Sequence, residues 1–225
     1  MKKNLLVVEA HSDDSAISIG GFLEKNRGLY NYHFLLVALS QVRMHHAGQI
    51  SKSQRAEEYE RYVGHMGGVW HANEEIPIDA DSALDTVPRG KIVSLIEDII
   101  DTVKPAVLIC QGPSFHHDHT LVYESTVAAT RPTARFFPKE FYVMENPTYV
   151  HSVGPHTDFR PNFYVTLNEQ ELEAKLACFR ACFPSQLRND SNYLSEEGIR
   201  SWARYRGIEA RSQYAEAMQT HKRVI

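Results

Sequence analysis

The sequence predicts an α/β fold, a single domain over residues 1–225 with three layers around a mostly parallel sheet. Three observations carry this. Short apolar runs of strand length alternate with amphipathic stretches of helical length. Two of the runs, Leu5 to Val8 and Ala106 to Cys110, contain no polar residue, as expected of strands buried on both faces. No repeat, low-complexity tract or linker divides the 225 residues, and 43% of them are hydrophobic, enough for one sizeable core.

In chain order, Leu5 to Val8 is the first strand. Residues 16–28 form a helix, with Ile17, Gly20, Gly21 and Glu24 at helical spacing and Gly28 as the stop. Gly20-Gly21 permits close packing against strands or close approach of a ligand. His33 to Leu39 is the second strand, and Ser40 to Ile50 a polar loop carrying Arg43, His45 and His46. A long helix runs from Ser51 to Gly64 or Met66, before Gly67-Gly68, and Val69 to Ile78 gives a short strand and loop. Ile92, Leu95, Ile96, Ile99, Ile100 and Val103 mark a helical stripe, and Ala106 to Cys110 is a buried strand. A helix then runs from the His116 region to about Thr130. Strands at Phe141 to Glu145 and Phe163 to Leu167, a helix from Glu169 to Phe183 and a C-terminal helix across Ile199 to Met218 complete the chain.

Composition removes several classes of function. A net charge of -4 gives no general attraction to nucleic acid or anionic membrane. No apolar run reaches the roughly 20 residues of a membrane span, and Met1-Lys2-Lys3 is followed too soon by acids for a signal peptide. A cytoplasmic protein is expected. The three cysteines form no CxxC, and Cys178 and Cys182, four apart on a helix, read as core. Gly20-Gly21 lacks the GxGxxG spacing, which argues against a nucleotide-binding domain.

Two polar bursts carry the chemistry. The first, His11-Ser12-Asp13-Asp14-Ser15, follows the first strand; the second, His116-His117-Asp118-His119, follows the Ala106 strand. On the first stretch alone two readings are open: Ser12 or Asp13 caps a helix, or the imidazole and carboxylates bind a cation. The second burst favours the cation. Both turns fall at carboxyl ends of strands, so in a parallel sheet they converge in one crevice. His11, Asp14 and one histidine of the second burst would supply three ligands and leave a position for water.

These residues resemble the PIG-L/LmbE-type zinc-dependent N-acetylglucosaminyl deacetylases. That family's first motif is Ala-His-Pro-Asp-Asp-Glu with paired glycines following; here it reads Ala10-His11-Ser12-Asp13-Asp14-Ser15 and Gly20-Gly21. The second, His-x-Asp-His, is matched by residues 116–119. Arg55-Ala56-Glu57-Glu58, Ser185-Gln186, Arg204 to Gly207 and Tyr214 to Ala217 add smaller matches, so the resemblance spans nearly the whole chain. It implies a Rossmann-like (LmbE-like) fold. It implies a metal bound by His11, Asp14 and His119, zinc first, with Fe2+ or another divalent ion also accommodated. Asp13 becomes the general base, protonated His116 the oxyanion stabiliser and Asp118 the acid that orients His116. The implied substrate is a small N-acetylated amino sugar or conjugate; homo-oligomers are common in the family. Three departures stand out. Ser12 replaces proline and Ser15 replaces glutamate, which could alter support of the site, while Ser114 falls where some members carry a tyrosine.

Blander readings apply elsewhere. His117 is expected to be merely exposed, and His45 and His46 to be polar surface. Arg43 and Arg55 are candidate substrate-binding residues, although Arg55 could equally pair with Glu57 or Glu58 on its own helix. His151 and His156 lie in a loop that could cover the pocket. Two other functions stay open: an amidase acting on another acylated small molecule, and a metal- or sugar-binding protein without turnover.

Overall fold

The computed structural model describes residues 2–147 and 159–225; His151 and His156 lie outside them. A seven-stranded sheet has the order β5-β2-β1-β6-β7-β9-β8. Its strands are β1 (Lys3–Glu9), β2 (Tyr30–Leu36), β5 (Val69–Trp70), β6 (Val107–Gln111), β7 (Glu140–Met144), β8 (Phe163–Leu167) and β9 (Tyr214–Arg223). The first five in spatial order are parallel, while β9 runs antiparallel to both neighbours. Among the described residues no helix is long and apolar enough to cross a membrane.

The unbroken apolar run of β1 is explained by burial on both faces. Leu5 and Val7 enter one core with α1 (Asp14–Lys25), α2 (Lys52–Met66), α5 (Glu169–Cys182) and α6 (Glu196–Glu209). Leu6 and Val8 enter the other, with α3 (Arg89–Val103) and α4 (His117–Ala129). Alternate residues of a strand point to opposite faces, so both kinds must be apolar. Cys178 and Cys182 are buried in the first core with their sulfurs 3.9 Å apart, as expected of core residues.

Two stretches differ from expectation. The Ser40 to Ile50 loop contains a hairpin, β3 (Val42–Met44) and β4 (Gly48–Ile50). The C-terminal helix ends at Glu209, and Tyr214 to Met218 belong to β9. The chain reverses tightly on Gly207, where a Cβ would lie 2.7 Å from the Gln213 carbonyl oxygen, and Arg211 takes a left-handed φ of 52°. Tyr214 to Met218 pair with β8, Met218 with β7 as well, and all are buried. The alternation that signals a strand is therefore absent, and tertiary pairing overrides the helical preference of Ala, Glu and Met.

α1 breaks at Ile19 (φ -130°, ψ 17°), just before the paired glycines. A buried ion pair satisfies the backbone groups there. Lys175 Nζ donates to the Ile17 carbonyl at 2.7 Å and to Glu216 at 2.6 Å. Glu216 accepts from the Gly21 and Phe22 amides at 2.8 and 2.6 Å. A Cβ on Gly21 would lie 2.4 Å from the Leu167 side chain, so this glycine serves packing against β8 and β9, while Gly20 lies against Lys175 of α5. Removing one partner of a buried pair costs about 3–5 kcal/mol. Glu216→Met should lower unfolding free energy by about that much in urea titrations. The Lys175→Met/Glu216→Met double variant should stay destabilised, because the backbone groups of α1 lose their partners too.

Candidate metal-binding site

Both polar turns sit at carboxyl ends of adjacent parallel strands, because β1 pairs with β6 from Leu5↔Val107 to Val8↔Cys110. The Gln111 side chain then accepts from the Ala10 amide at 2.6 Å, tying the two turns together. His11 Nδ1 lies 3.0 Å from His119 Nε2. The Asp14 carboxylate lies 3.7 Å from the former and 3.3 Å from the latter. Asn146, just beyond β7, donates to Asp14 Oδ1 at 3.1 Å.

The outer ring nitrogens are engaged. His11 Nε2 meets Asp118 Oδ2 at 3.1 Å, and His119 Nδ1 meets Ser114 Oγ at 2.8 Å. An imidazole whose far N–H is held by a carboxylate or hydroxyl presents its other nitrogen as a lone-pair donor. Two such nitrogens facing each other beside a carboxylate fit a divalent cation. His116 brings a third ring nitrogen within 4.8 Å of those of His11 and His119.

Electrostatics follows from crowding these groups in a buried turn. Burial raises the Asp14 pKa, but His119 and His11 outweigh it and hold the carboxyl below its usual range. Asp13 moves up, first through burial and then through the charge of Asp14. Burial lowers the proton affinity of His11, yet Asp118, Asp14 and Asp81 overcome it and raise the ring to about 9. A cation with this ligand set would take the place of that proton. His116 is pushed down by burial and by the two neighbouring imidazoles, a direction opposite to the protonated state expected from sequence.

The helix-cap reading of the first burst is not what the carboxylates do. Asp13 occupies the cap position of α1 but makes no side-chain cap bond, and it lines a cavity of about 320 Å³ instead. That cavity also receives His11, Asp14, His116 and His119, together with Arg43, His45, His46 and Arg55. Asp118 lies behind it. Its carboxylate, expected to orient His116, is directed to His11 and accepts from the Ser82 and Leu84 amides at 2.7 and 3.1 Å. Ser82 takes a left-handed φ of 62° there. His117 is 52% exposed, as expected of the variable motif position.

Arg55 pairs with neither Glu57 nor Glu58. It is buried, donates to the Ser40 carbonyl at 2.8 Å and forms an ion pair with Asp81, while Glu58 accepts from Ser185. The partner comes from the segment after β5, far off in sequence, so helical spacing gave the wrong neighbour. Ser114 supports His119 through its ring and the His116 amide through its Oγ.

A family model described as GlcNAc-PI de-N-acetylase (PIG-L) matches residues 6–130, more than half the chain and both polar turns. The chain belongs to that family. No curated protein matches it by sequence. Among solved structures, a triple mutant of a deacetylase from the teicoplanin biosynthetic pathway is 17% identical, with 96% of this chain and 97% of that one covered at a TM-score of 0.72. GalB, the 4-carboxy-2-hydroxymuconate hydratase of Pseudomonas putida KT2440, is 18% identical over 100% and 98%, with a TM-score of 0.73. N,N′-diacetylchitobiose deacetylase from Pyrococcus horikoshii is 17% identical over 97% and 83%, with a TM-score of 0.62. At such identities the likeness is one of fold.

Several site residues in this PIG-L chain escaped the sequence. Asp81 and Ser82 lie in a loop without a motif. Asn146 follows a strand of the same parallel set, so the rule that located both bursts could have found it. Glu9 was hidden within the apolar β1. It is fully buried, accepts from the Ser15 amide at 2.9 Å and from the Tyr59 hydroxyl at 2.5 Å, and burial pushes it up to about 8. It thereby fastens the first turn of α1, which carries Asp14, to α2. An unsatisfied buried polar group costs about 1–3 kcal/mol. Glu9→Leu strands two of them and should lower unfolding free energy by about 2–4 kcal/mol, with Tyr59→Phe costing about 1, as read from denaturant melts.

Proposed function

We propose that this protein is a metal-dependent N-deacetylase. It removes the acetyl group from an N-acetylglucosamine-type amino sugar or its conjugate, releasing acetate and a free amine. The observation that carries the reading is the meeting of two facing imidazole nitrogens and the Asp14 carboxylate in one cavity with Asp13 and His116. Membership of a family described by a de-N-acetylase activity supports it.

His11, Asp14 and His119 would hold the metal, zinc by preference, with Fe2+ or another divalent ion accommodated by the same donors. Bound there, a divalent metal supplies Lewis acidity, polarising the amide carbonyl and acidifying water. Asp13 takes the proton of the attacking water; its buried position and then the charge of Asp14 favour proton uptake. His116, across the cavity, donates a ring N–H to the carbonyl oxygen as charge develops on it. Proton return from Asp13 lets the amine depart. Asp118 and Ser114 act behind these groups, fixing the rings of His11 and His119. Arg55, held by Asp81 on the cavity wall, would meet the sugar hydroxyls.

The fold alone would not choose this reaction, since GalB is a hydratase and has it too. The metal is equally open to test, because one deacetylase of this fold, teicoplanin deacetylase Orf2, is described in a zinc-inhibited form. Metal content is therefore measured beside acetate release, with zinc, iron, cobalt and manganese supplied in turn. About one metal per chain and release of acetate from N-acetylglucosamine or N,N′-diacetylchitobiose are expected, both abolished by dipicolinate. Asp13→Asn should retain the metal while kcat falls by a factor of about 10²–10⁴, and His119→Ala should lose the metal. Equal metal loss from both variants would overturn the assigned roles. Metal without acetate release would redirect the reading to another amide or to binding alone.

A further inference from the structure

A second set of metal-donor side chains lies away from the cavity, among the helices α1, α2 and α5. Glu24 is in the last turn of α1, His65 in the last turn of α2, and Cys178 and Cys182 are one turn apart on α5. A carboxylate oxygen of Glu24, a ring nitrogen of His65 and the Cys178 sulfur all lie within 4.8 Å of one another. The Cys182 sulfur adds a fourth donor, 3.9 Å from that of Cys178. Asp14 opens α1 and Glu24 lies in its last turn, so at the helical rise this cluster is roughly 15 Å from the donors around His11.

Burial in the core accounts for the two thiols but not for the carboxylate and imidazole that meet them. The Glu24 side chain is only 8% exposed, and its Oε1 stands 2.5 Å from His65 Nε2. Arg27 donates to the other oxygen, Oε2, at 3.3 Å and so orients the carboxylate. Both of these partners reach into solvent, which leaves a largely buried carboxylate beside two sulfurs poorly compensated. A cation among the four groups supplies the missing charge.

Two sulfurs, one imidazole and one carboxylate are donors of the kind that close a four-coordinate zinc site. With Zn–S bonds of about 2.3 Å, a tetrahedral site sets its sulfurs about 3.8 Å apart. The 3.9 Å between Cys178 and Cys182 is already close to that, because residues four apart on a helix are neighbours on its surface. Glu24 and His65 complete the set by adjusting their rotamers, and the metal displaces the thiol protons and the proton between carboxylate and ring. The His65 side chain is 38% exposed, so an ion enters from solvent at that edge. Thiolate donors favour zinc over harder divalent ions.

We infer that Glu24, His65, Cys178 and Cys182 form a second, structural zinc site that fastens the far ends of α1 and α2 to α5. The inference is independent of the deacetylase reading. α1 and α2 carry Asp14 and Arg55 in their first turns, so the clamp holds from the other end the two helices that bring these side chains to the cavity.

The test uses cobalt on the full-length chain, freed of metal and kept reduced. The cavity offers cobalt no thiolate, so thiolate-to-cobalt charge-transfer absorption in the near ultraviolet reports the second site alone. In His119→Ala protein, whose cavity site is emptied, the band should saturate at about one equivalent, and zinc should abolish it. Fully loaded native protein should then carry one metal more than the one expected at the cavity, and Cys178→Ala/Cys182→Ala protein only that one. His65→Ala, on an exposed side chain, should weaken cobalt binding at this site at least tenfold, as should Glu24→Gln. Cys110→Ala, in the other core, should leave the band unchanged. Zinc at about a hundredfold excess over its dissociation constant should raise the Tm of His119→Ala protein by about 5 °C or more, a gain lost in His65→Ala/His119→Ala protein.

Absence of the band at saturating cobalt, a band that persists without Cys178 and Cys182, or one insensitive to both His65→Ala and Glu24→Gln would each overturn the inference. His65→Ala leaves the core untouched and so decides the matter even where the cysteine variants fail to fold.

Discussion

Everything at the site depends on the parallel pairing of β1 with β6. That pairing sets the ends of two strands side by side, so the turn after each meets the other in one crevice. Five groups of the site, His11, Asp13, Asp14, Asp118 and His119, are delivered by two turns more than a hundred residues apart in sequence. Their crowding explains the opposed shifts of the two adjacent aspartates. Asp14 touches imidazole and is held ionised, whereas Asp13, buried and then repelled by Asp14, is driven toward the proton. Two like carboxylates separated in this way can divide the work of holding a cation and of moving a proton.

A turn so charged needs a stiff support, and the surrounding chain supplies it from buried polar groups. Glu9 holds the first turn of α1 to α2, while Lys175 and Glu216 satisfy the same helix at its break. These contacts bear on Ser15, which stands where the family commonly has glutamate. Its amide is bound by Glu9 and its hydroxyl meets Tyr62 at 3.1 Å. A buried carboxylate at this turn is thus provided by β1, and the missing side chain leaves no missing acceptor.

Much of this was legible because the information is local. His11, Asp13, Asp14 and the 116–119 motif are contiguous runs after apolar strands, and topology places such runs together once the sheet is parallel. Apart from the β3–β4 hairpin, the strands and helices through Leu167 followed from periodicity for the same reason. What was not legible is set by long-range neighbours. Tyr214 to Met218 read as helix because a strand covered on both faces shows no alternation. The acid beside Arg55 comes from a loop, and the imidazole that Asp118 holds is His11, a choice decided in space by Ser82 and Leu84.

The sheet and its two turns do not by themselves set the chemistry, since a deacetylase and a hydratase share them at 17% and 18% identity to this chain. What distinguishes one reaction or substrate from another is decided by the side chains that line the cavity rather than by the sheet. In this chain the β3–β4 hairpin, the loop holding Asp81 and the stretch from Ser185 to Leu194 each put a charged side chain on the cavity wall. The first and last contribute arginines and the second an acid already committed to Arg55. The donor cluster fit for a cation and the charged side chains of these three segments thus share one cavity wall.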